Sequence, residues 1–411
     1  MKINNRWFQL VASVIAMIMI ANLQYAWTLF VNPMQQSTGW KLSEIQRAFA
    51  LFILFQTWVQ PAQGWLIDRL GPRLFITIAG VLCGIGWTGL GFATTLPGLY
   101  ALYVLAGIGA ALVYGGCIGS ALKWFSKGRG LAAGIMAAGF GGGTALFIPF
   151  IASMIKNQGY RQAFIWTGIF QGVVILIVAQ FLRHPPVEPL SAVKTTAAGA
   201  SRLGNHHFTT AEMLRTPQFY ALYAMFVMMA TGGLLVTANA GPMSKAWGIP
   251  VAALTLATSL NAIANGGSRV FWGWMSDRTG RELVMGVAFL LQAMCLMLVL
   301  TVGRLSGTLF TLTLVLTFFT WGEVFSLFPS IVGDYYGTKC ATSNYGVMYS
   351  AKGVAALIGG VGPILYERFG TWNACLYGSA SLALAAAVIA FSLRASRAPR
   401  GVAIGVPATA K

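Results

Sequence analysis

Acidic side chains are the scarcest feature of this chain: nine Asp and Glu among 411 residues, against 27 Lys and Arg. Charge of either sign is thin, at 9% of residues, where soluble globular chains carry about 25%. That excludes an ordinary water-soluble domain. Cysteine is sparse too, and Cys83, Cys117, Cys295, Cys340 and Cys375 are scattered, odd in number and without a CxxC spacing. Neither a disulfide framework nor a thiolate metal site is indicated. The three histidines, His184, His206 and His207, sit in one polar stretch with no Asp, Glu or Cys placed to complete a metal site. There is no nucleophile–base pair and no phosphate loop, so no enzyme, no metal and no cofactor is expected.

Hydrocarbon is what the chain has in quantity. Hydrophobic residues make up 57% and the mean hydropathy is +0.70. Apolar runs long enough to cross a bilayer core of about 30 Å as helices recur twelve times. They lie near 7–30, 46–66, 74–95, 99–122, 131–154, 161–182, 217–240, 250–274, 283–303, 307–332, 343–365 and 371–393. The run after MKINNRWF is followed by no small-residue cleavage site and reads as the first spanning helix. The fold class expected is an all-α membrane protein with the lipid bilayer as its solvent.

A net charge of +18 invites a nucleic-acid reading, but its placement argues for topology. Eighteen cations fall on one side of the twelve runs and seven on the other, while Arg269 and Lys352 lie within helices. By the positive-inside rule the richer side is cytoplasmic, with both termini on it. Attraction to anionic lipid adds to that bias, and no nucleic-acid partner is expected. The location implied is a cell inner membrane, multi-pass, for a monomer.

One pattern occurs twice. GWLIDRLGPR supplies Gly64, Asp68, Arg69, Gly71 and Arg73; GWMSDRTGR supplies Gly273, Asp277, Arg278, Gly280 and Arg281, 209 residues later. An offset of half the chain implies an internal repeat of six helices. The domains expected are an N-terminal six-helix bundle (1–183), a cytoplasmic linker with a short surface helix (184–216), a C-terminal six-helix bundle (217–393) and a basic cytoplasmic tail (394–411). The linker is rich in Pro, Ser, Ala and Gly, and Thr209 and Glu212 have capping-box spacing at its end. Helices 4 and 5 are laden with glycine, which suits close packing in lipid. The run Gly139 to Gly143 would also bend easily, and the two uses remain open.

Three ionisable groups interrupt the apolar spans at similar depth: Arg269 in helix 8, Glu323 in helix 10 and Lys352 in helix 11. At 1.5 Å per residue they lie roughly 12–16 Å in, near the midplane. A cation there costs at least about 2.5–3.5 kcal/mol and needs a purpose. A structural ion pair with Glu323 is one; a cavity for an anion is the other. Arg offers a two-pronged match to a carboxylate and Lys a compact charge, so two cations suit a small dianion. If ionised, Glu323 would lower the site charge from +2 to +1. It points about 160° from the face shared by Trp321, Phe325 and Phe328. In helix 1, Gln24 and Thr28 share a face near Trp27, and either a cavity wall or an interfacial aromatic belt would use them. Tyr114 and Phe140 sit mid-helix in helices 4 and 5.

The doubled loop pattern resembles the signature of the major facilitator superfamily. Gln24-Tyr25, Gly266-Gly267-Ser268-Arg269, the block Trp321-Gly322 to Phe328-Pro329-Ser330, and Asn344-Tyr345-Gly346 to Lys352 together resemble its oxalate:formate antiporter family. The resemblance implies twelve helices in two pseudo-symmetric bundles, and a secondary transporter of small carboxylates by alternating access. It implies that Arg269 and Lys352 bind substrate carboxylates. It further implies that Tyr25, Tyr114, Phe140, Trp321, Phe325 and Tyr349 box the anion, with Gln24 and Gln56 as polar cavity positions. The chain departs from the family pattern at Phe140 and Phe325, where tyrosines are expected, at Tyr349 (tryptophan) and at Glu323 (glycine). A proton-coupled monocarboxylate symporter using Glu323 is the alternative these departures raise.

Overall fold

The computed structural model describes residues 5–63, 72–124, 129–183, 208–337 and 341–395. Helices occupy all twelve apolar runs. They are α1 (Arg6–Thr38), α2 (Leu42–Trp58), α3 (Pro72–Leu90), α4 (Leu96–Trp124), α5 (Ile135–Gln158) and α6 (Tyr160–Ala179), then α7 (Pro217–Ala246), α8 (Val251–Thr279), α9 (Arg281–Thr301), α10 (Gly307–Tyr336), α11 (Ser343–Phe369) and α12 (Asn373–Ala395). Ten of these are long and apolar enough to span a membrane. The other two differ for separate reasons. The helix α2 has only 17 residues; α8 has 29, but Asn261, Asn265, Ser268 and Arg269 dilute its hydrocarbon.

Within each set of six the helices pack on one another, α3 against α4 and α6, and α9 against α10 and α12. Contacts between the sets run through α2·α11, α5·α8 and α1·α7. A two-fold relating helices 1–6 to 7–12 turns α2·α11 into α8·α5, so the two main contacts are one contact made twice. Small residues permit the approach. A Cβ on Gly353 would overlap Thr57 of α2, and one on Gly241 would overlap the Thr28 carbonyl of α1.

Several helices are interrupted near mid-span. The helix α1 breaks at Ala26, between Arg6–Tyr25 and Trp27–Thr38. In α5 the chain tightens to a 3₁₀ turn at Gly143–Leu146. In α10 it breaks at Gly322–Glu323, and in α11 at Ser350. Gly139 and Gly143 of α5 lie against Val14 and Ile18 of α1, while Gly141 and Gly142 face α8. The glycine run thus serves packing on two sides and still sits at a bend.

At the face where α1 begins, a one-turn helix (Thr210–Met213) carries the Thr209–Glu212 capping box and leads into α7. Asn344 of α11 ties it down, its amide donating to the Phe208 carbonyl (3.1 Å) and its oxygen accepting from Thr210 (2.9 Å). The second loop copy is an ion-pair knot. Arg281 meets Asp277 at 2.5 Å and Asp334 at 3.1 Å, Arg278 stacks on Trp274, and Gly280 takes a φ of 100°. Of the first copy, Gly64, Asp68, Arg69 and Gly71 lie outside the described residues. Arg73 donates through Nε and Nη2 to Gln180 Oε1, joining α3 to α6.

Candidate substrate site between the two sets of helices

Arg269 and Lys352 project from the last six helices toward the first six, and both are buried, with 2% and 0% of their surface exposed. Arg269 donates from Nη1 to the Ala137 carbonyl of α5 (2.7 Å) and from Nη2 to Asn265 Oδ1 (2.8 Å) and the Tyr25 hydroxyl of α1 (3.4 Å). The Ala137 carbonyl is within reach because α5 lies close along α8 at Gly142 and Gly266. Lys352 donates from Nζ to Gln24 Oε1 of α1 (2.9 Å), Gln56 Oε1 of α2 (3.0 Å) and the Tyr349 hydroxyl (3.4 Å). Each cation therefore crosses the interface to neutral oxygens. Neither forms an ion pair among the described residues.

Aromatic rings fill the space around them in an unbroken sequence. Tyr25 meets Phe140 (5.6 Å between centroids), Phe140 meets Tyr114 (5.3 Å), and Tyr114 stacks on Tyr349 (5.4 Å). Tyr349 meets Phe325 (6.3 Å), and Phe325 meets Trp321 (5.4 Å). Phe325 lies under both cations, 4.5 Å from Arg269 Cζ and 5.4 Å from Lys352 Nζ. Phe140 and Tyr349 also face Lys352, at 5.7 and 5.4 Å. Ring quadrupoles attract cations by about 0.5–2 kcal/mol each, which offsets part of the burial cost without adding negative charge. All six aromatics, with Gln24 and Gln56, are at most 4% exposed, so the site is closed toward both faces.

The unpartnered polar atoms in this shell are informative. Gln24 Nε2, Gln56 Nε2, Arg269 Nε, Asn265 Nδ2 and Trp321 Nε1 are buried nitrogens without a hydrogen-bond partner. All of them donate. Four of them, on Gln24, Gln56, Asn265 and Arg269, belong to the cations or to their hydrogen-bond partners, and free donors there suit an anion rich in acceptor oxygens.

Other residues near this depth do different work. Trp27 is fully buried, stacks on Tyr103 at 4.4 Å and donates to Gln46 Oε1, so it is neither a cavity wall nor part of an interfacial belt. Thr28 accepts from the Gly241 N–H, joining α1 to α7. Phe328 packs on Phe226 and Phe289 inside the last six helices. Glu323 is fully buried, both its carboxyl oxygens lack a partner, and it pairs with neither Arg269 nor Lys352. Sequence reasoning missed two parts of the site. One is Asn265, whose position one turn before Arg269 on the same helix face was the available signal. The other is the Ala137 carbonyl, a backbone group that no residue type announces.

Interrupted helices at mid-depth, two sets of six helices and a charged site between them define a transporter architecture. The family model of the Major Facilitator Superfamily matches residues 12–240 and 220–408. The chain belongs to the major facilitator superfamily. As a member of that superfamily it is a multi-pass membrane protein. Among its relatives, the oxalate:formate antiporter of Oxalobacter formigenes is 38% identical over 402 residues, covering 97% of this chain and 93% of the relative. An uncharacterized MFS-type transporter of Escherichia coli (strain K12), YhjX, is 24% identical over 354 residues, 86% of each chain. Human monocarboxylate transporter 11 is more distant in extent, 27% identical over 237 residues, 56% of this chain and 47% of the relative. The superfamily relation covers the whole site, since the matched stretches include every residue from Gln24 to Lys352.

Proposed function

We propose that the protein exchanges small carboxylates across a cell inner membrane by alternating access, with both termini cytoplasmic, and that its substrates are oxalate and formate. One observation carries this reading: two buried cations rest on neutral oxygens with no ion-pair partner among the described residues, and Gln24 Nε2, Gln56 Nε2, Arg269 Nε and Asn265 Nδ2 beside them are donors without an acceptor. The name borne by the Oxalobacter formigenes relative supports the choice of oxalate and formate.

In this reading Arg269 holds one carboxylate and Lys352 the other, while Gln24, Gln56, Tyr25 and Tyr114 supply hydrogen bonds. Phe140, Trp321, Phe325 and Tyr349 exclude water, which strengthens every charge interaction inside. Both cations reach across to the first six helices, Arg269 to Ala137 and Tyr25 and Lys352 to Gln24 and Gln56. These are the contacts that must part when the halves rock, and a bound dianion would bridge the same gap. A carboxylate at each cation brings the site close to neutrality and lowers the cost of closing it. Return with the site loaded is then favoured over return with two bare charges, which is the condition for exchange. Lys352→Gln is expected to raise the half-saturation concentration for oxalate by about tenfold or more in proteoliposome exchange, the scale of one charge-assisted contact. Unchanged oxalate affinity would remove Lys352 from the site.

A second reading, a proton-coupled monocarboxylate symporter, draws on Glu323, a buried carboxyl with no partner, and on the likeness to monocarboxylate transporter 11. It requires uptake that rises with an inward H⁺ gradient and is lost in Glu323→Gln.

A further inference from the structure

Asn265 lies one turn before Arg269 on α8 and is fully buried. Its amide orientation is set by chemistry: Oδ1 must face the guanidinium, from which it accepts at 2.8 Å, so Nδ2 faces the other way. That nitrogen has no partner, and neither has Arg269 Nε beside it. Both Arg269 Nη atoms are already engaged, Nη1 with the Ala137 carbonyl and Nη2 with Asn265 and Tyr25.

Glycines hold Asn265 in place from two sides. A Cβ on Gly141 of α5 would lie 2.7 Å from Asn265 Oδ1 and 3.1 Å from Arg269 Nε. A Cβ on Gly322 of α10 would lie 2.7 Å from the Asn265 carbonyl. The glycine in α10 also opens the helix interruption that precedes Phe325, the ring beneath Arg269. The helix α5 therefore packs on the Asn265 side-chain oxygen and α10 on its main chain, which leaves Nδ2 as the amide atom without a hydrogen-bond partner.

We infer that Asn265 is a substrate-contacting residue that sets the preference for dicarboxylates over monocarboxylates. Its Oδ1 holds the guanidinium, and its Nδ2, turned away from Arg269, is a further donor at the Arg269 seat. The inference rests on the dicarboxylate reading of the site. A dianion spans this seat and Lys352 together, so it needs both ends. A monocarboxylate needs one, and Lys352 with Gln24 and Gln56 offers it a seat that Asn265 does not touch.

The test uses the full chain in proteoliposomes, with oxalate and formate half-saturation constants measured separately for the wild type, Asn265→Asp and Asn265→Ser. Asn265→Asp keeps an acceptor for Arg269 and removes the Nδ2 donor but adds a carboxylate beside the guanidinium; Asn265→Ser removes the amide donor without changing the charge of the site and so carries the test. Both are expected to raise the oxalate constant by about tenfold while formate moves by less than about threefold, the scale of one hydrogen bond to a charged group. Wild-type constants for both substrates in the variants would overturn the inference. So would equal losses for oxalate and formate, which mark a structural role. A wild type that exchanges neither anion would instead overturn the reading on which the inference rests.

Discussion

Arg269 on α8 and Lys352 on α11, 83 residues apart in the chain, lie over the same ring, Phe325, at 4.5 and 5.4 Å from its centroid. Among the described residues, it is the one ring that lies over both cations. It screens each without neutralising either, because a quadrupole attracts charge but carries none. Two positive groups are thereby kept near one another, where the proposed anion would bind both.

Phe325→Leu is expected to keep an apolar side chain, somewhat smaller, and lose the quadrupole. Oxalate affinity should fall by about three- to tenfold, in line with one or two cation–π contacts, while Phe325→Tyr should stay close to wild type. Half-saturation constants for exchange measure both, and a leucine variant equal to wild type would reduce Phe325 to packing.

Arg269→Lys is expected to be as damaging as Arg269→Gln. The guanidinium makes contacts in three directions, to Ala137, Asn265 and Tyr25, which a single ammonium on a shorter reach cannot reproduce. Full exchange by Arg269→Lys would mean that charge alone suffices.

Gly233 of α7 faces the Trp321 indole so closely that a Cβ would overlap the ring. Gly233→Ala must displace Trp321 from its place beside Phe325, and exchange should fall about tenfold or more while the protein still inserts, an overpacking cost of about 1–3 kcal/mol. Purified yield and thermal unfolding separate loss of the site from loss of the fold.

Far from the site, Glu367 of α11 closes the opposite face. Its carboxylate accepts from the Ser43 N–H and hydroxyl at the start of α2, both at 2.7 Å. Such charge-assisted bonds between the halves favour the closed face. Glu367→Ala should open it, read as faster maleimide labelling of a cysteine placed at Ala50, which lines the cleft between α2, α7 and α11. Unchanged labelling would show that this contact does not hold the face.

Much of this was legible because membranes impose strict accounting. A charge in hydrocarbon needs a reason, so Arg269, Lys352 and Glu323 stood out by residue type alone, and helical spacing placed Trp321 and Phe325 on one face. The doubled loop pattern gave the half-chain repeat, and the α2·α11 and α5·α8 contacts follow its symmetry. What sequence could not supply was partnership across the interface. Nothing in α8 announces that Arg269 will meet the Ala137 carbonyl, because that contact depends on how closely glycine lets α5 approach. Nor do the breaks at Ala26 and Ser350 carry a glycine or proline at the break itself. Trp27 looked like a cavity residue by spacing, but Tyr103 and Gln46 hold it within the first six helices. Glu323 was open as an ion-pair partner, and it pairs with neither cation, consistent with its opposite orientation on α10.

The direct test of exchange is counterflow in proteoliposomes holding the purified protein. Labelled oxalate uptake should be slow into empty vesicles and should rise at least about tenfold when formate or oxalate is loaded inside, because the loaded site closes at lower electrostatic cost. Uptake that is indifferent to the internal anion would contradict antiport.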